Sequence, residues 1–354
     1  MKLADRFMRG LAGGAPKVSV ATTTYGHEAF IGDAIEGVLM QDTDFPVEMV
    51  IGEDCSPDGT RGVILKYAEK YPGFIRLSNY ERNLGSNRNF RNTLARCRGE
   101  YVALLDGDDY WTSPDKLRLQ VAKLESDPRF TLCCHAVNRE RGGIVISQVI
   151  RPTGRKPVYR LKDLASWVNM MPLSMVYRRS ALPSLPSWFE YVHFGDWAIQ
   201  VLLAEQGDIA YLPRVMGTHR IHHTNIWCAN TPGKSVAIRL QIEHADLFIR
   251  HLGDERAKPF ERAQYRRYYE LVHALLDEGE PERAQEVLSR VRAECGADPR
   301  VSLLEPWLVR LHMKAPAVYR WVRPHLHRLL HPWGLIVRPV ADRVIFAASA
   351  LRHG

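Results

Sequence analysis

Short apolar segments and longer amphipathic segments alternate over the first 140 residues of the chain. The apolar segments are rich in β-branched residues, as in KVSVATTT at 17–24, and are typical of strands. The segment at 28–41 instead carries its apolar residues at the spacing of a helix face. Such alternation predicts a parallel α/β sheet, in which ligands bind at the carboxyl ends of the strands. The pattern predicts strands at 17–24, 47–52, 74–77, 101–105 and 130–136, and helices at 28–41, 61–71, 89–97 and 116–124.

The pattern is less regular beyond this region. Residues 139–159 are polar and rich in Arg and Gly, which favours a loop. From about residue 230 only helical spacing recurs, with a tetratricopeptide-like helical hairpin around Gly279-Glu280-Pro281. We therefore expect an α/β domain followed by an α-helical C-terminal region. The remaining predicted elements are helices at 161–170, 197–205, 260–276 and 282–294, and strands at 173–177, 208–212 and 215–221.

Composition narrows the class of protein. The 354 residues are 45% hydrophobic and 25% charged, which excludes disordered, collagen-like and coiled-coil proteins. No apolar run reaches the roughly 20 residues of a membrane-spanning helix, and the first residues lack the apolar core of a signal peptide. The six cysteines form no CxxC pair, so we expect reduced thiols. These features favour a cytoplasmic protein.

Positive charge is concentrated near the C-terminus. The net charge is +8, and residues 301–354 hold eight Lys and Arg against two acidic residues. Apolar and Trp residues alternate with arginines at 316–354, which favours either a segment at the inner face of the plasma membrane or a helix packed on the protein. Because the body is nearly neutral and shows no recognition motif, we expect no nucleic-acid partner. The chain divides into an N-terminal extension at 1–15, an α/β domain at 16–230, a helical region at 231–315 and a basic amphipathic tail at 316–354.

The candidate chemistry begins at LLDGDDYW, residues 104–111. Three carboxylates, Asp106, Asp108 and Asp109, follow a predicted buried strand directly. Carboxylates packed this closely repel one another and favour a bound cation, and Mg²⁺ or Mn²⁺ commonly bridges such oxygens to substrate phosphates. The segment alone is also compatible with a solvated acidic turn.

Five segments in order resemble the inverting family 2 glycosyltransferases. They are VSVATTTYGHEAFIGDAIEGVLMQ, EDCSPDGT, NLGSNRNF, GEYVALLDGDDYW and FGDWAIQVLLAEQGDIAYLPRVMGTHRIHH. The resemblance covers about residues 16–230 and is strongest to bacterial members that build surface polysaccharide or lipopolysaccharide. It implies the GT-A fold, a Rossmann-like nucleotide-diphospho-sugar transferase domain, at 16–230.

The resemblance also implies a donor site for a UDP-, dTDP- or GDP-linked sugar. Tyr25 is placed to stack on the base, and Asp54 to accept a hydrogen bond from it, although a turn-capping role also suits Asp54. Asp106 is expected nearer the ribose and Asp108 nearer the metal. Arg220 is expected to pair with phosphate oxygens. The residues expected to bind the nucleotide sugar are Thr23, Tyr25, Asp54, Asn83, Gly85, Arg88, Asp106, Asp108 and Arg220.

The metal and the base are assigned in the same way. A divalent cation, Mn²⁺ or Mg²⁺, is expected on Asp108, Asp109 and His222, with His219 and His223 as alternatives to His222. Asp196 is expected to be the general base that deprotonates the acceptor hydroxyl, a glycan or lipid-linked group. The family usually has an acidic pair at this point, whereas this chain has Gly195-Asp196.

Two other readings stay open from sequence. A nucleotidyltransferase also uses an α/β sheet and acidic metal ligands, but its basic, Gly-rich phosphate loop is missing after the first strand, where TYGHE stands. The second alternative is a non-catalytic protein that binds a nucleotide or a glycan and recruits partners through its helical tail. The presence of Asp108, Asp109 and Asp196 argues against it.

Overall fold

The computed structural model describes residues 15–166, 168, 170–182, 184–222 and 233–295, with residues 309, 312, 313 and 319. The chain divides into two compact units. The first is Met1–Thr231 with Leu240–Ala263, and the second is Pro232–Arg239 with Gln264–Gly354. Residues 1–14 of the N-terminal extension, His223 and the tail apart from residue 319 lie outside the described residues, so their assignments stay predictions.

A mixed ten-stranded sheet forms the centre of the first unit. The strands are β1 (Val18–Thr24), β2 (Val47–Glu53), β3 (Ile75–Asn79), β4 (Tyr101–Asp106), β5 (Tyr110–Trp111), β6 (Phe130–Arg141), β7 (Ile144–Ile150), β8 (Val158–Tyr159), β9 (Val176–Arg178) and β10 (Asp208–Ile221). Their order is β3-β2-β1-β4-β9-β6-β10-β5, with β7 beside β6 and β8 beside β10. β1 to β4 are parallel, as are β6 and β10, whereas β9 runs antiparallel to both of its neighbours.

Helices alternate with many of the strands along the chain, and further helices follow β10. They are α1 (Ile31–Leu39), α2 (Thr60–Lys70), α3 (Ser86–Ala95), α4 (Lys116–Glu125), α5 (Gly195–Gln206), α6 (Lys234–Leu252), α7 (Asp254–Asp277) and α8 (Pro281–Cys295). Short 3₁₀ turns cover Leu161–Ala165, Pro172–Ser174, Arg179–Ala181 and Ser187–Tyr191.

The strands are apolar on both faces because each face of the sheet has its own core. In β4, Tyr101, Ala103 and Leu105 join one core, while Val102 and Leu104 join the other. The first core contains α1 and α4, and the second contains α5 and the apolar residues of α6. Burial on both faces explains why these segments read as continuous apolar runs rather than as an alternating pattern.

The predicted strands and helices of the first 136 residues are observed, but the region after them differs from prediction. The polar loop expected at 139–159 is wrong: β6 continues to Arg141, and Gly142 and Gly143, both at positive φ, turn the chain into β7. The β7 sequence IVISQVI is itself apolar and β-branched, a local strand signal that the description of 139–159 as a polar loop overlooked. The two strands expected at 208–212 and 215–221 are one strand, β10, with irregular register near residues 212–215.

Helices make up the second unit in the described residues. Gly279, at φ 79°, separates α7 from α8, and Pro281 is the first residue of α8, where its missing N–H costs no hydrogen bond. Along α8, Ala284, Leu288 and Val291 are buried at helical spacing. No helix in the described part of the chain is both long enough and apolar enough to cross a membrane.

Candidate functional site

The acidic motif lies in a tight turn between β4 and β5. Asp108 and Asp109 are buried, with 7% and 1% of their surface exposed. The turn passes so close to the end of β1 that a Cβ at Gly107 would lie 2.5 Å from Thr24 Oγ1. Only glycine fits there, and this explains the small residue inside the motif. Thr23 Oγ1 lies 3.4 Å from Asp106 Oδ1, so β1 and β4 present their ends together.

The THRIHH segment reaches this turn through strand pairing. The two-residue strand β5 pairs antiparallel with β10, matching Trp111 with Gly217 and Tyr110 with Thr218. This pairing brings the end of β10 to the carboxylates, about 110 residues away in sequence.

Each described histidine of the segment contacts a different carboxylate. His222 Nε2 lies 3.0 Å from Asp108 Oδ2, and His219 Nδ1 lies 3.1 Å from Asp109 Oδ1. Asp109 Oδ1 also accepts the backbone N–H of Arg220 at 2.9 Å. Asp109 is therefore an anchor for the end of β10, while Asp108 and His222 form a separate pair.

The charges of these groups are coupled. Burial and the neighbouring Asp108 and Asp109 charges raise the pKa of Asp106 well above its ordinary value. Burial would raise the pKa of Asp108 too, but the hydrogen bond with His222 and the nearby histidines lower it. Burial opposes protonation of His219, yet Asp109 raises its pKa. Asp108 thus stays ionised beside imidazole groups, whereas burial and the neighbouring negative charges favour the protonated form of Asp106.

The loops expected to border the nucleotide meet at Asp54. Its Oδ1 accepts the Leu84 N–H at 2.7 Å, and its Oδ2 accepts the Gly85 N–H at 3.0 Å. Asn83 Nδ2 donates to the Asp54 carbonyl at 3.1 Å. Gly85 has φ 85°, a conformation that glycine adopts without strain, and α3 begins at the next residue. Asp54 therefore holds the 83–85 loop against the end of β2.

Two further predicted residues are exposed near these loops. Tyr25 follows β1 directly and is 50% exposed, so its ring is available to a ligand. Arg88, in the first turn of α3, has a 64% exposed side chain whose Nε lies 3.7 Å from Glu190 Oε2.

Asp196 is the second residue of α5 and is partly buried. Its Oδ1 accepts the Trp197 N–H at 2.8 Å. Burial raises its pKa from 3.8 to about 6. The charge of Asp196 contributes to the raised pKa of Asp106, so the two carboxylates lie within electrostatic reach of each other. Asp196 thus has the partly desolvated setting of a proton acceptor for neutral pH.

The segment before α5 is held by two side chains that sequence reasoning missed. Asn87 Nδ2 donates to the carbonyls of Glu190 and Val192 at 3.1 and 2.8 Å. His244 Nε2 accepts the N–H groups of His193 and Phe194 at 2.8 and 3.1 Å. No local signal marks His244, because its partners lie about 50 residues away.

Arg220 is brought to the site, but its guanidinium contacts protein groups. Nη2 lies 2.5 Å from Asp33 Oδ2, and Nε lies 3.2 Å from Glu140 Oε1. Nη1 lies 3.3 Å from the Asp108 carbonyl, and the group lies over the Tyr110 ring at 4.3 Å. The expected pairing of Arg220 with phosphate stays a prediction.

His27 is a third residue that sequence reasoning missed. Its Nε2 lies 3.9 Å from Asp108 Oδ2, on the loop after β1, and burial lowers its pKa. The available sequence signal was that His27 closely follows β1, a strand whose carboxyl end was expected to border the ligand. Among the residues that the structure describes, no group of three His, Cys, Asp or Glu side chains is arranged to hold a metal ion by itself.

Comparison with known proteins agrees with this architecture. Residues 19–185 match the family model described as glycosyl transferase family 2. An uncharacterised protein of Mycobacterium tuberculosis is 35% identical over 215 residues, 59% of this chain and 60% of that protein. TuaG of Bacillus subtilis, named a putative teichuronic acid biosynthesis glycosyltransferase, is 41% identical over 107 residues, 30% of this chain and 41% of TuaG. The chain thus spans about 60% of the length of the first of these relatives.

Solved structures share the fold. Staphylococcus aureus TarS 1–349 in complex with UDP-GlcNAc has a TM-score of 0.58 at 18% identity, over 84% of this chain and 91% of that one. The mannosyltransferase PcManGT of Pyrobaculum calidifontis, in complex with GDP-Man and Mn²⁺, has a TM-score of 0.54 at 19% identity, over 90% and 88%. The expected GT-A fold with a helical C-terminal region is confirmed.

Proposed function

The chain belongs to glycosyl transferase family 2 through residues 19–185, and from this membership we propose that it is an inverting glycosyltransferase of surface-polysaccharide synthesis. It moves one sugar from a nucleotide-diphosphate donor to a glycan or lipid-linked acceptor. The observation that carries the proposal is a partly buried carboxylate of raised pKa, Asp196, within electrostatic reach of the acidic cluster at the end of β4. Solved proteins of this fold in complex with UDP-GlcNAc and GDP-Man support a nucleotide-sugar donor.

The donor lies along the carboxyl ends of β1, β2 and β4. Tyr25, exposed at the end of β1, stacks on the base, and Thr23 and Asp106 face the ribose. Asp54 acts chiefly through the 83–85 loop, because both of its carboxylate oxygens already accept N–H groups from that loop. This role differs from the expectation from sequence, in which Asp54 accepts a hydrogen bond from the base.

A divalent cation fits the acidic turn. Asp106, Asp108 and Asp109 crowd three carboxylates into a buried turn, where burial and then the negative charges of Asp108 and Asp109 raise the pKa of Asp106. A bound cation would offset the repulsion among these charges. Asp108 and His222 are the residues that would hold it, with donor phosphates completing the ligand set. A site with both oxygen and nitrogen ligands suits Mn²⁺, the ion present with PcManGT. When bound, such an ion offsets the charge that develops on the departing diphosphate.

Asp196 acts as the base. Its carboxylate accepts the proton of the acceptor hydroxyl, and the oxygen so released bonds to the anomeric carbon on the face opposite the diphosphate. The bond from that carbon to the diphosphate oxygen breaks, and its electron pair leaves with the nucleoside diphosphate. Because one displacement occurs, the anomeric configuration inverts. A pKa of about 6 leaves Asp196 ionised at neutral pH yet basic enough to take part in the transfer.

A nucleotide-sugar panel tests the proposal. The full chain is incubated with UDP-, dTDP- and GDP-sugars and Mn²⁺, and release of nucleoside diphosphate is measured with NMR of the product anomer. We expect turnover of one donor class with inverted configuration. We expect Asp108→Ala to abolish transfer and to remove the dependence of nucleotide affinity on Mn²⁺, because it removes the ionised carboxylate of the turn.

Asp115→Ala is the matched control, since Asp115 is paired with Arg118 and Arg214 outside the cluster. It should retain full activity. If the Asp108 variant keeps the Mn²⁺ dependence of the parent protein, the metal assignment is wrong.

A further inference from the structure

The Arg220 guanidinium connects four parts of the first unit. From β10 it reaches Asp33 of α1, Glu140 of β6 and the carbonyl of Asp108 in the acidic turn. Its own backbone N–H donates to Asp109 Oδ1 at 2.9 Å. One residue therefore ties the strand that carries the site histidines to the turn that carries the site carboxylates.

Two carboxylates already compensate the positive charge of Arg220. Asp33 and Glu140 supply two carboxylates within 2.5 and 3.2 Å of the guanidinium. Glu140 is itself held, because the Tyr110 hydroxyl donates to its Oε2 at 2.7 Å. A phosphate would have to displace bonds to two carboxylates and approach their negative charge, which disfavours Arg220 as a phosphate ligand.

Aromatic packing extends the connection to His222. The guanidinium lies 4.3 Å from the centre of the Tyr110 ring and 5.3 Å from the centre of the Phe30 ring. The Phe30 ring in turn lies 4.6 Å from the imidazole of His222. Phe30 is thus packed between the arginine and the histidine that pairs with Asp108.

We propose that Arg220 is a positioning residue, which holds His219 and His222 against Asp109 and Asp108 and leaves donor phosphate to other groups. Glu140 and Tyr110 contribute to the same positioning role, because both contact the Arg220 guanidinium. The inference rests on the proposed function only in that it assigns the Asp108–His222 pair to a cation. Residues that orient metal ligands typically change metal affinity by about 10–100-fold when they are replaced.

The decisive experiment uses Mn²⁺ alone, without nucleotide or acceptor. Free Mn²⁺ is measured by electron paramagnetic resonance as the full-length protein is added, for Glu140→Gln, Arg220→Lys and the parent. We expect both variants to bind Mn²⁺ about tenfold more weakly. Arg214→Lys is the control, since Arg214 is on the same strand but pairs with Asp115 at the surface, and it should bind like the parent.

Glu140→Gln separates the two roles of Arg220. If Arg220 bound phosphate, removing a nearby negative charge would leave nucleoside diphosphate affinity unchanged or increase it. If Arg220 positions the histidines, the same variant weakens Mn²⁺-dependent binding of nucleoside diphosphate. Mn²⁺ affinity within twofold of the parent in both variants overturns the inference.

Hydrogen exchange gives a second readout that needs neither metal nor turnover. The Arg220 amide, which donates to Asp109, should exchange faster in Glu140→Gln than in the parent, while amides of α3 stay unchanged. Faster exchange with unchanged Mn²⁺ affinity assigns a purely structural role and overturns the inference. If the parent protein itself fails to bind Mn²⁺, the cation part of the proposed function fails, and unchanged exchange would then overturn the positioning role separately.

Discussion

Asp196→Asn removes the proposed proton acceptor and keeps the shape of the side chain. The asparagine carbonyl can still accept the Trp197 N–H that Asp196 Oδ1 accepts at 2.8 Å, so the first turn of α5 should be preserved. The amide cannot take a proton at neutral pH. We therefore expect donor binding to be retained and kcat to fall by about 100-fold or more, the scale of general-base loss.

The raised pKa gives a second, independent expectation. Asp196 titrates near 6 because burial disfavours its charged form. The ionised fraction is nearly complete at pH 7.5 and falls about tenfold for each unit below the pKa, so kcat should drop by about tenfold between pH 7.5 and pH 5. The sign follows from the role, because only the deprotonated carboxylate can act as base.

The assay follows kcat at saturating donor and acceptor across this pH range. Donor affinity is measured at the same pH values, because the carboxylates and histidines of the acidic turn titrate as well. Glu205→Gln is a matched control: Glu205 is in the same helix, but it pairs with His251 and Arg256 rather than with the site. It should keep the parent kcat and the parent pH profile.

Two results would refute the reasoning. Turnover of Asp196→Asn within about threefold of the parent would place the base elsewhere. A kcat that is flat from pH 7.5 to pH 5 would contradict the raised pKa as the source of the profile. The residual activity of the asparagine variant should itself lose the inflection near pH 6.

Two further outcomes follow from buried polar groups. Asp54→Asn replaces one of the two carboxylate oxygens that accept N–H groups of the 83–85 loop, so the free energy of unfolding in urea should fall by about 1.5–3 kcal/mol, with weaker nucleotide binding measured by calorimetry. Lys116 is fully buried, and its Nζ has no hydrogen-bond partner within the described residues and lies 3.9 Å from the centre of the Trp111 ring. Because Lys116→Met removes this buried amine, it should raise the free energy of unfolding by about 1 kcal/mol or more at pH 7. Burial lowers the pKa of Lys116, so at pH 7 to 9 the unfolded chain binds a proton that the folded chain does not. The free energy of unfolding of the parent should therefore rise between pH 7 and 9 relative to that of Lys116→Met. Equal changes with pH in the two proteins would contradict this.

The sequence by itself determined the sheet and the edge of the sheet that carries the ligand site. β1, β2 and β4 are buried on both faces, and continuous β-branched, apolar runs are a local signal of that environment. The acidic motif follows β4 within a few residues, so its position at the carboxyl end depends on local order alone. The ordered motifs also identified the family, because each motif is short and contiguous.

The prediction failed at the hairpin of β6 and β7, although the sequence there carries a local strand signal. Gly142 and Gly143 close this hairpin, and the Arg and Gly residues around the turn favoured a loop. The segment IVISQVI at 144–150 is nonetheless an apolar, β-branched run, and its backbone pairing with β6 confirms that it is a strand.

Only the tertiary structure decided the partners within the site. From sequence, His222 was the preferred metal ligand with His219 and His223 as alternatives, and Arg220 was expected to face a phosphate. The pairing of β5 with β10 matched His219 with Asp109 and His222 with Asp108. Packing of α1 and β6 then supplied two carboxylates to Arg220, from positions 187 and 80 residues away. Such contacts depend on how distant elements pack together, and residue type and spacing carry no local record of that packing.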